Sequence, residues 1–205
     1  GVPGAIAAGT VQINVLVTSS IATLEAGARS WLNYAERLYQ LPLGVIGIAM
    51  GVALLPNLSR RLRAGDEAGG AFAMNRAIEV SLAFTLPAVA AFLLIPDFLV
   101  SGLLERGRFG PEDTAATALV LVIFAVGLPS FILVKVLSPG FFAREDTKMP
   151  MTFSIAAVVL NCVLAVTLFF GGLGYAGLAI ATTAAGWLQA GLLAFALSRR
   201  GDLKL

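Results

Sequence analysis

Of the 205 residues, 58% are apolar and only 13% charged, and the mean hydropathy is +0.89; soluble domains do not reach this balance, so the chain reads as an integral membrane protein. The net charge of +2, with basic residues not interleaved with exposed aromatics, supports no nucleic-acid partner. With no histidine and Cys162 as the single cysteine, disulfides within the chain, zinc centres and histidine-based acid/base catalysis are excluded.

About 20 apolar residues cross a hydrocarbon core of roughly 30 Å. Six stretches meet that length: 4–24, 38–56, 77–95, 115–137, 151–170 and 177–197. The fold expected is an all-α, polytopic bundle of six transmembrane helices in a single unit over 1–205. The chain opens at Gly1 and reads as a piece of something longer.

The first span carries Thr10, Gln12, Asn14, Thr18, Ser19 and Ser20 in an apolar frame. Facing lipid, Gln12 or Asn14 would be penalised, so both are expected against other helices or lining a cavity. The second region sets a charged, polar turn at 25–37 against an apolar run. At steps of three and four, Ser30, Asn33, Arg37, Gln40, Gly44, Gly47 and Gly51 share one helical face, polar first and then bare. Pro42 interrupts that stripe, and a kink with a freed carbonyl near Arg37 is expected. An arginine facing hydrocarbon costs about 2.5–3.5 kcal/mol at mid-membrane, so Arg37 must face protein or water. Two readings follow. Arg37 pairs with Glu36 or snorkels to the headgroups while the glycines allow close packing, or it forms an anion site in a wet cavity, where its planar fork holds two phosphate oxygens at once.

Beyond the second span, Arg60, Arg61, Arg63 and Arg76 flank a Gly-rich link; Arg144, Lys148, Arg199, Arg200 and Lys204 fall on the same side, against Arg29, Arg37, Arg106 and Arg108 on the other. The positive-inside rule then places both chain ends in the cytoplasm. Pro87 and Pro129 lie mid-span, Pro96 and Asp97 are expected to break the third helix, and Gly110 and Pro111 to restart the next with Glu112 and Asp113 in its first turn. Lys135 snorkels. Gly171, Gly172, Gly174 and Gly177 are expected to bring the last two spans close, with Asn161 bonded to Thr182 or Thr183. No Gly-rich phosphate loop, metal-ligand spacing or nucleophile motif occurs, so no cofactor, metal site or enzymatic activity is expected.

Four stretches, GVPGAIAAGTVQIN at 1–14, YAERLYQLPLGVIGIAMGVALLPNLSR at 34–60, LERGRF at 104–109 and VKVLSPGFFAREDTKMP at 134–150, together resemble the MurJ (MviN) lipid II flippase family of the multidrug/oligosaccharidyl-lipid/polysaccharide (MOP) exporter superfamily. The resemblance implies a fold of two six-helix lobes around a central cavity, this chain being the second lobe and lacking its N-terminal partner. It implies a bacterial inner-membrane flippase that moves an undecaprenyl-diphosphate-linked peptidoglycan precursor to the outer leaflet by alternating access, among membrane lipids and without bond chemistry. Arg37 then contacts the diphosphate, Ser30 matches a cavity position, and Asn33 and Gln40 complete the candidate substrate site. Gln40 stands where the family often has an acid. Some members hold sodium through carboxylates in helices seven and eleven, but spans 4–24 and 151–170 contain none. Other exporters of the superfamily, for drugs or polysaccharide lipids, and a non-transporting membrane scaffold remain as alternatives.

Overall fold

A computed structural model describes residues 2–105, 107 and 109–201; the side-chain surroundings of residues 2–11 and of Gly51 lie outside that description, as do Arg106, Arg108 and Lys204. Seven α-helices account for most of the described chain: α1 (Val2–Ala22), α2 (Ala28–Arg63), α3 (Glu67–Leu94), α4 (Pro96–Leu104), α5 (Pro111–Phe142), α6 (Lys148–Leu168) and α7 (Gly174–Arg200). A π turn, Phe169–Leu173, joins the last two. Each of the six apolar stretches lies under a helix. Four helical stretches, Ala28–Arg63, Glu67–Leu94, Pro111–Phe142 and the α6–α7 pair, are long and apolar enough to cross a membrane, and the protein is a multi-pass membrane bundle.

α5 is the centre. Buried residues recur along it from Thr114 to Phe141, and α2, α3, α4 and α7 all pack on it, while α6 packs on α7 and α1 on α6. One continuous core joins Leu38, Ile46, Leu54 and Leu58 of α2 to Met74 of α3, to Leu121, Leu128, Ile132 and Phe141 of α5, and to Leu193 and Leu197 of α7. The α5–α7 seam closes on missing side chains. A Cβ on Gly186 would stand 2.5 Å from the Phe131 ring, and one on Gly127 would stand 2.9 Å from Thr183 Oγ1.

Several expectations shift. The 25–37 turn is shorter than anticipated: α2 begins at Ala28, so Ser30 to Arg37 are helical and the charged residues extend the helix beyond its apolar run. The helices run on through their internal prolines, α2 through Pro42 and Pro56, α3 through Pro87 and α5 through Pro129, which leaves the kink expected at Pro42 untouched. A proline forfeits one hydrogen bond, and the flanking turns keep the rest. The break at Ile95 and the restart at Pro111 stand where anticipated, with Asp113 accepting from Gly110 N–H at 3.0 Å. Of the four glycines near the last reversal, Gly177 is the one that brings α7 close to α6, its Cβ position 2.9 Å from the Leu168 backbone, while that of Gly174 stands 2.7 Å from Glu25 Oε2; Gly172 serves the turn itself through its φ of 99°.

Polar ties fasten the two ends. At one, Glu25 accepts the Tyr175 N–H at 2.8 Å, and Trp31 donates its indole N–H to Asp113 at 2.8 Å while its ring meets Tyr175 edge-on. At the other, Arg200 pairs with Asp146 at 2.6 Å and lies over the Phe141 ring, and Arg144 reaches Glu67 at 3.6 Å. This second end collects most of the arginines.

The hydrogen bond from Arg200, aided by backbone N–H groups of Met149 and Lys148, holds the Asp146 carboxyl below the usual carboxylate range. A depressed folded-state value stabilises the fold above the unfolded value of about 3.9 and loses that contribution as pH falls through the folded one. Partly exposed pairs are worth about 0.2–1 kcal/mol. Asp146→Asn is therefore expected to lower the thermal midpoint slightly at pH 7, and the gap from wild type is expected to close as melts are repeated toward pH 3.

Candidate functional site

The polar stripe of α2 lies on the side turned away from α5. Ser30, Asn33, Arg37 and Gln40 are exposed, whereas Ala35, Leu38 and Tyr39 are buried against the bundle. Ser30, Asn33 and Arg37 line one cleft of about 220 Å³, with Arg29 and Tyr34. Two guanidinium groups and no carboxylate line it, so it is an electropositive hollow suited to an anion. Among the described residues Arg37 makes no hydrogen bond and no ion pair. Its neighbour Glu36 is engaged elsewhere, accepting from Gln40 Nε2 at 3.0 Å across one helical turn. Gln40 thus belongs to Glu36 and not to the cleft. Asn33 donates to the Arg29 carbonyl at 3.0 Å, one turn back along the helix.

Further along the stripe a Cβ added at Gly44 or Gly47 would meet nothing within 4 Å. Gly51 lies outside the described residues in this respect. Among the described residues no other helix meets the two glycines at these positions, which leaves open space beside α2.

A second cavity, about 270 Å³, shares Arg29 and Asn33 with the cleft and runs inward between α1, α2, α6 and α7. Asn14, Thr18, Glu36, Asn161 and Thr182 line it. Asn161 donates to Asn14 Oδ1 at 2.8 Å, joining α6 to α1 across 147 residues of sequence. The partner anticipated for Asn161 is thereby corrected. Thr182 donates to the Leu178 carbonyl and Thr183 to the Ile123 carbonyl, so neither hydroxyl proton goes to Asn161. Gln12 is exposed. The groups that α1 and α6 bring to the cavity are amides and hydroxyls, so these two helices present neutral oxygens there and no carboxylate.

Arg29 and Tyr34 are cleft residues that the sequence left uncredited, and Arg29 is the charged one. The signal was present: Arg29, Asn33 and Arg37 recur at steps of four, which stacks them on one face.

Residues 2–204 match the family model described as lipid II flippase MurJ. The chain belongs to the MurJ family. A probable lipid II flippase MurJ of Rhizobium meliloti (strain 1021) is 48% identical over 97% of this chain, and one of Rhizobium tropici is 46% identical over 98%. A solved structure titled "Lipid II flippase MurJ, inward closed conformation" superposes with a TM-score of 0.82 at 26% identity, over 92% of this chain. An outward-facing MATE transporter of the MOP superfamily superposes at 0.86 with 17% identity over the whole chain, a likeness of fold. The chain spans 37% and 38% of the two curated MurJ relatives and 40% of the solved MurJ chain. These MurJ relatives are named as flippases and not as enzymes.

The two sets of glycines should separate on substitution. Gly186→Val drives a branched side chain into Phe131 and Ser130, and overpacking of this kind costs about 1–3 kcal/mol. Gly44→Ala meets open space and gains helix propensity of about 1 kcal/mol. Thermal melts of the full-length protein are expected to show a clear drop for the first and none for the second.

Proposed function

We propose that this chain is the second six-helix lobe of a lipid II flippase, and that Arg37, with Arg29, Ser30 and Asn33 around it, receives the diphosphate of the lipid-linked precursor. The supporting observation is an exposed guanidinium that pairs with no acid, in a cleft whose lining carries two positive charges and no negative one. A diphosphate cannot enter hydrocarbon unaided. The protein must offer cations in a wet hollow while the lipid tail remains in the membrane, and Arg fits because its fork takes two phosphate oxygens at once and stays charged when partly dehydrated.

In this reading the first lobe, supplied by the remainder of a chain of the relatives' length, closes the other side of the cavity, and Gly44 and Gly47 keep room for a bulky headgroup. Rocking of one lobe against the other carries the headgroup from the inner to the outer leaflet, and no covalent bond changes. The arginine-rich end, with Arg60, Arg61, Arg63, Arg144, Arg199 and Arg200, faces the cytoplasm of a bacterial inner membrane, in keeping with the positive-inside rule. The membrane potential, about 2.3 kcal/mol per elementary charge per 100 mV, is large enough to bias movement of the charged headgroup.

Hydrogen bonds to charged groups contribute about 1.5–3 kcal/mol, so Arg37→Ala is expected to weaken diphosphate-lipid binding roughly ten- to hundredfold. Arg37→Lys keeps the charge but loses the fork, and should fall between. Full-length variants tested in cells depleted of their own flippase are expected to show no rescue with Ala and partial rescue with Lys. Rescue by Ala equal to wild type would remove Arg37 from the mechanism.

A further inference from the structure

Among the described residues a single carboxyl group, that of Glu36, lines the inner cavity between α1, α2, α6 and α7. Arg29 and Asn33 belong to this cavity and to the anion cleft alike, so the two hollows adjoin. Glu36 follows Arg29 by seven residues, two turns of α2, which sets the two about 20° apart around the axis and roughly 10 Å apart along it. Even so, Glu36 makes no ion pair among the described residues. The hydrogen bond it accepts from Gln40 Nε2 at 3.0 Å falls on one of its two oxygens.

Few other charged or titratable groups surround it. α2 itself contributes Arg29, Arg37 and the Tyr39 phenol, while the wall drawn from α1, α5, α6 and α7 is amide, hydroxyl and carbon. Cys162 of α6 turns its thiol to Asn14 Oδ1 at 3.8 Å. Glu25 and Asp113 are taken up by the Tyr175 N–H and the Trp31 indole. On α3, Glu79 pairs with Arg76 and Glu67 with Arg144, in the half nearer the arginine-rich end.

We propose that Glu36 is a proton site coupled to the anion cleft: its carboxylate takes up one proton from water when a diphosphate binds and returns it when the diphosphate leaves. The proposal rests on the headgroup reading above and deepens it. With the cleft empty, Arg29 and Arg37 favour the ionised carboxylate; a bound dianion cancels that pull and favours the neutral acid. Reciprocity requires the converse, that a neutral Glu36 lets the anion bind more tightly, because two positive charges then face it unopposed. The loaded site also balances, two guanidinium charges against the two of a disubstituted diphosphate. A site without net charge is the least costly to close off from water. An ionisable side chain in a membrane helix is kept at a cost, and carrying a proton is one use that repays it.

The test uses the full-length protein in nanodiscs of zwitterionic phospholipid and, as probe, a short-chain prenyl diphosphate with a sugar on its second phosphate. Such a diester has no second ionisation left to titrate, so its own charge stays fixed. Binding is followed in sodium-free buffers of differing protonation enthalpy, which counts the protons exchanged, from pH 8 down through the glutamate range near about pH 4. Wild-type affinity is expected to rise about fivefold as pH falls, with a fraction of a proton taken up on the way. Glu36→Gln, an isostere fixed neutral, is expected to bind at the wild type's low-pH affinity throughout and to exchange no proton. The proton site is overturned, with Arg37 keeping its role, by a flat wild-type profile, by a Glu36→Gln that retains the wild-type profile, or by one that binds more weakly than wild type at every pH. An affinity set by sodium concentration at fixed pH has the same consequence. Probe bound equally by wild type and Arg37→Ala would instead remove the headgroup reading, and the proton site with it.

Discussion

In hydrocarbon a helix gains nothing by hiding apolar surface from water, so the bundle depends on how closely its helices approach. The seam between α5 and α7 meets that constraint by omission. Gly127 and Gly186 bring the two backbones close enough for Thr183 of α7 to donate to the Ile123 carbonyl of α5, and for Trp187 to reach the Val126 carbonyl. At the far end Gly140 lets Leu197 and Met74 press on the α5 backbone. With α5 fixed in this way, α2 and α3 seat on its other faces through Ile46, Leu54, Leu58 and Met74. The remaining side of α2, with Arg37 and the bare glycines, is turned outward as a consequence.

Some polar groups inside the bundle bond back within their own helix, as Thr85 does to the Ser81 carbonyl and Ser130 to that of Gly127, while others join different helices. Asn14 and Asn161 meet between α1 and α6, and the ends are tied by Glu25 with Tyr175, Trp31 with Asp113, and Asp146 with Arg200. Arg37 makes no such tie among the described residues; Glu36 is adjacent in sequence, but neighbours at i and i+1 on a helix do not face each other.

Much of the architecture was legible because apolar run length alone marks a spanning helix, and Pro96 and Pro111 mark the break and restart around α4 through the lost donor and fixed φ of proline. The start of α2 was harder to read. Arg29, Glu36 and Arg37 look like a turn to any rule that weighs hydropathy, yet helical hydrogen bonding is indifferent to charge wherever the side chains reach water. For the same reason Arg29 went uncredited although its spacing to Asn33 and Arg37 was regular. The Asn14–Asn161 contact was illegible in principle, because nothing local specifies a pairing 147 residues apart. Ser30, Asn33 and Arg37 could be placed on one face from spacing, but whether Glu36 or Gln40 would compete for the arginine depended on rotamers that no periodicity encodes.

In the role proposed for Arg37, that competition decides how the cleft works. An anion site that must both load and release cannot hold its cation in a strong internal pair, because the substrate would first have to break it. Glu36 is the obvious competitor, and its carboxylate already accepts from the Gln40 amide one turn along the helix. An acid at position 40 would do the reverse, since it has no proton to offer an ionised Glu36, would repel it, and would add a negative charge one turn from the cleft. The amide therefore occupies Glu36 while adding no charge of its own. What is left is a guanidinium that water satisfies cheaply and a diphosphate can claim without displacing a protein partner, a balance suited to a site that binds on one side of a membrane and lets go on the other.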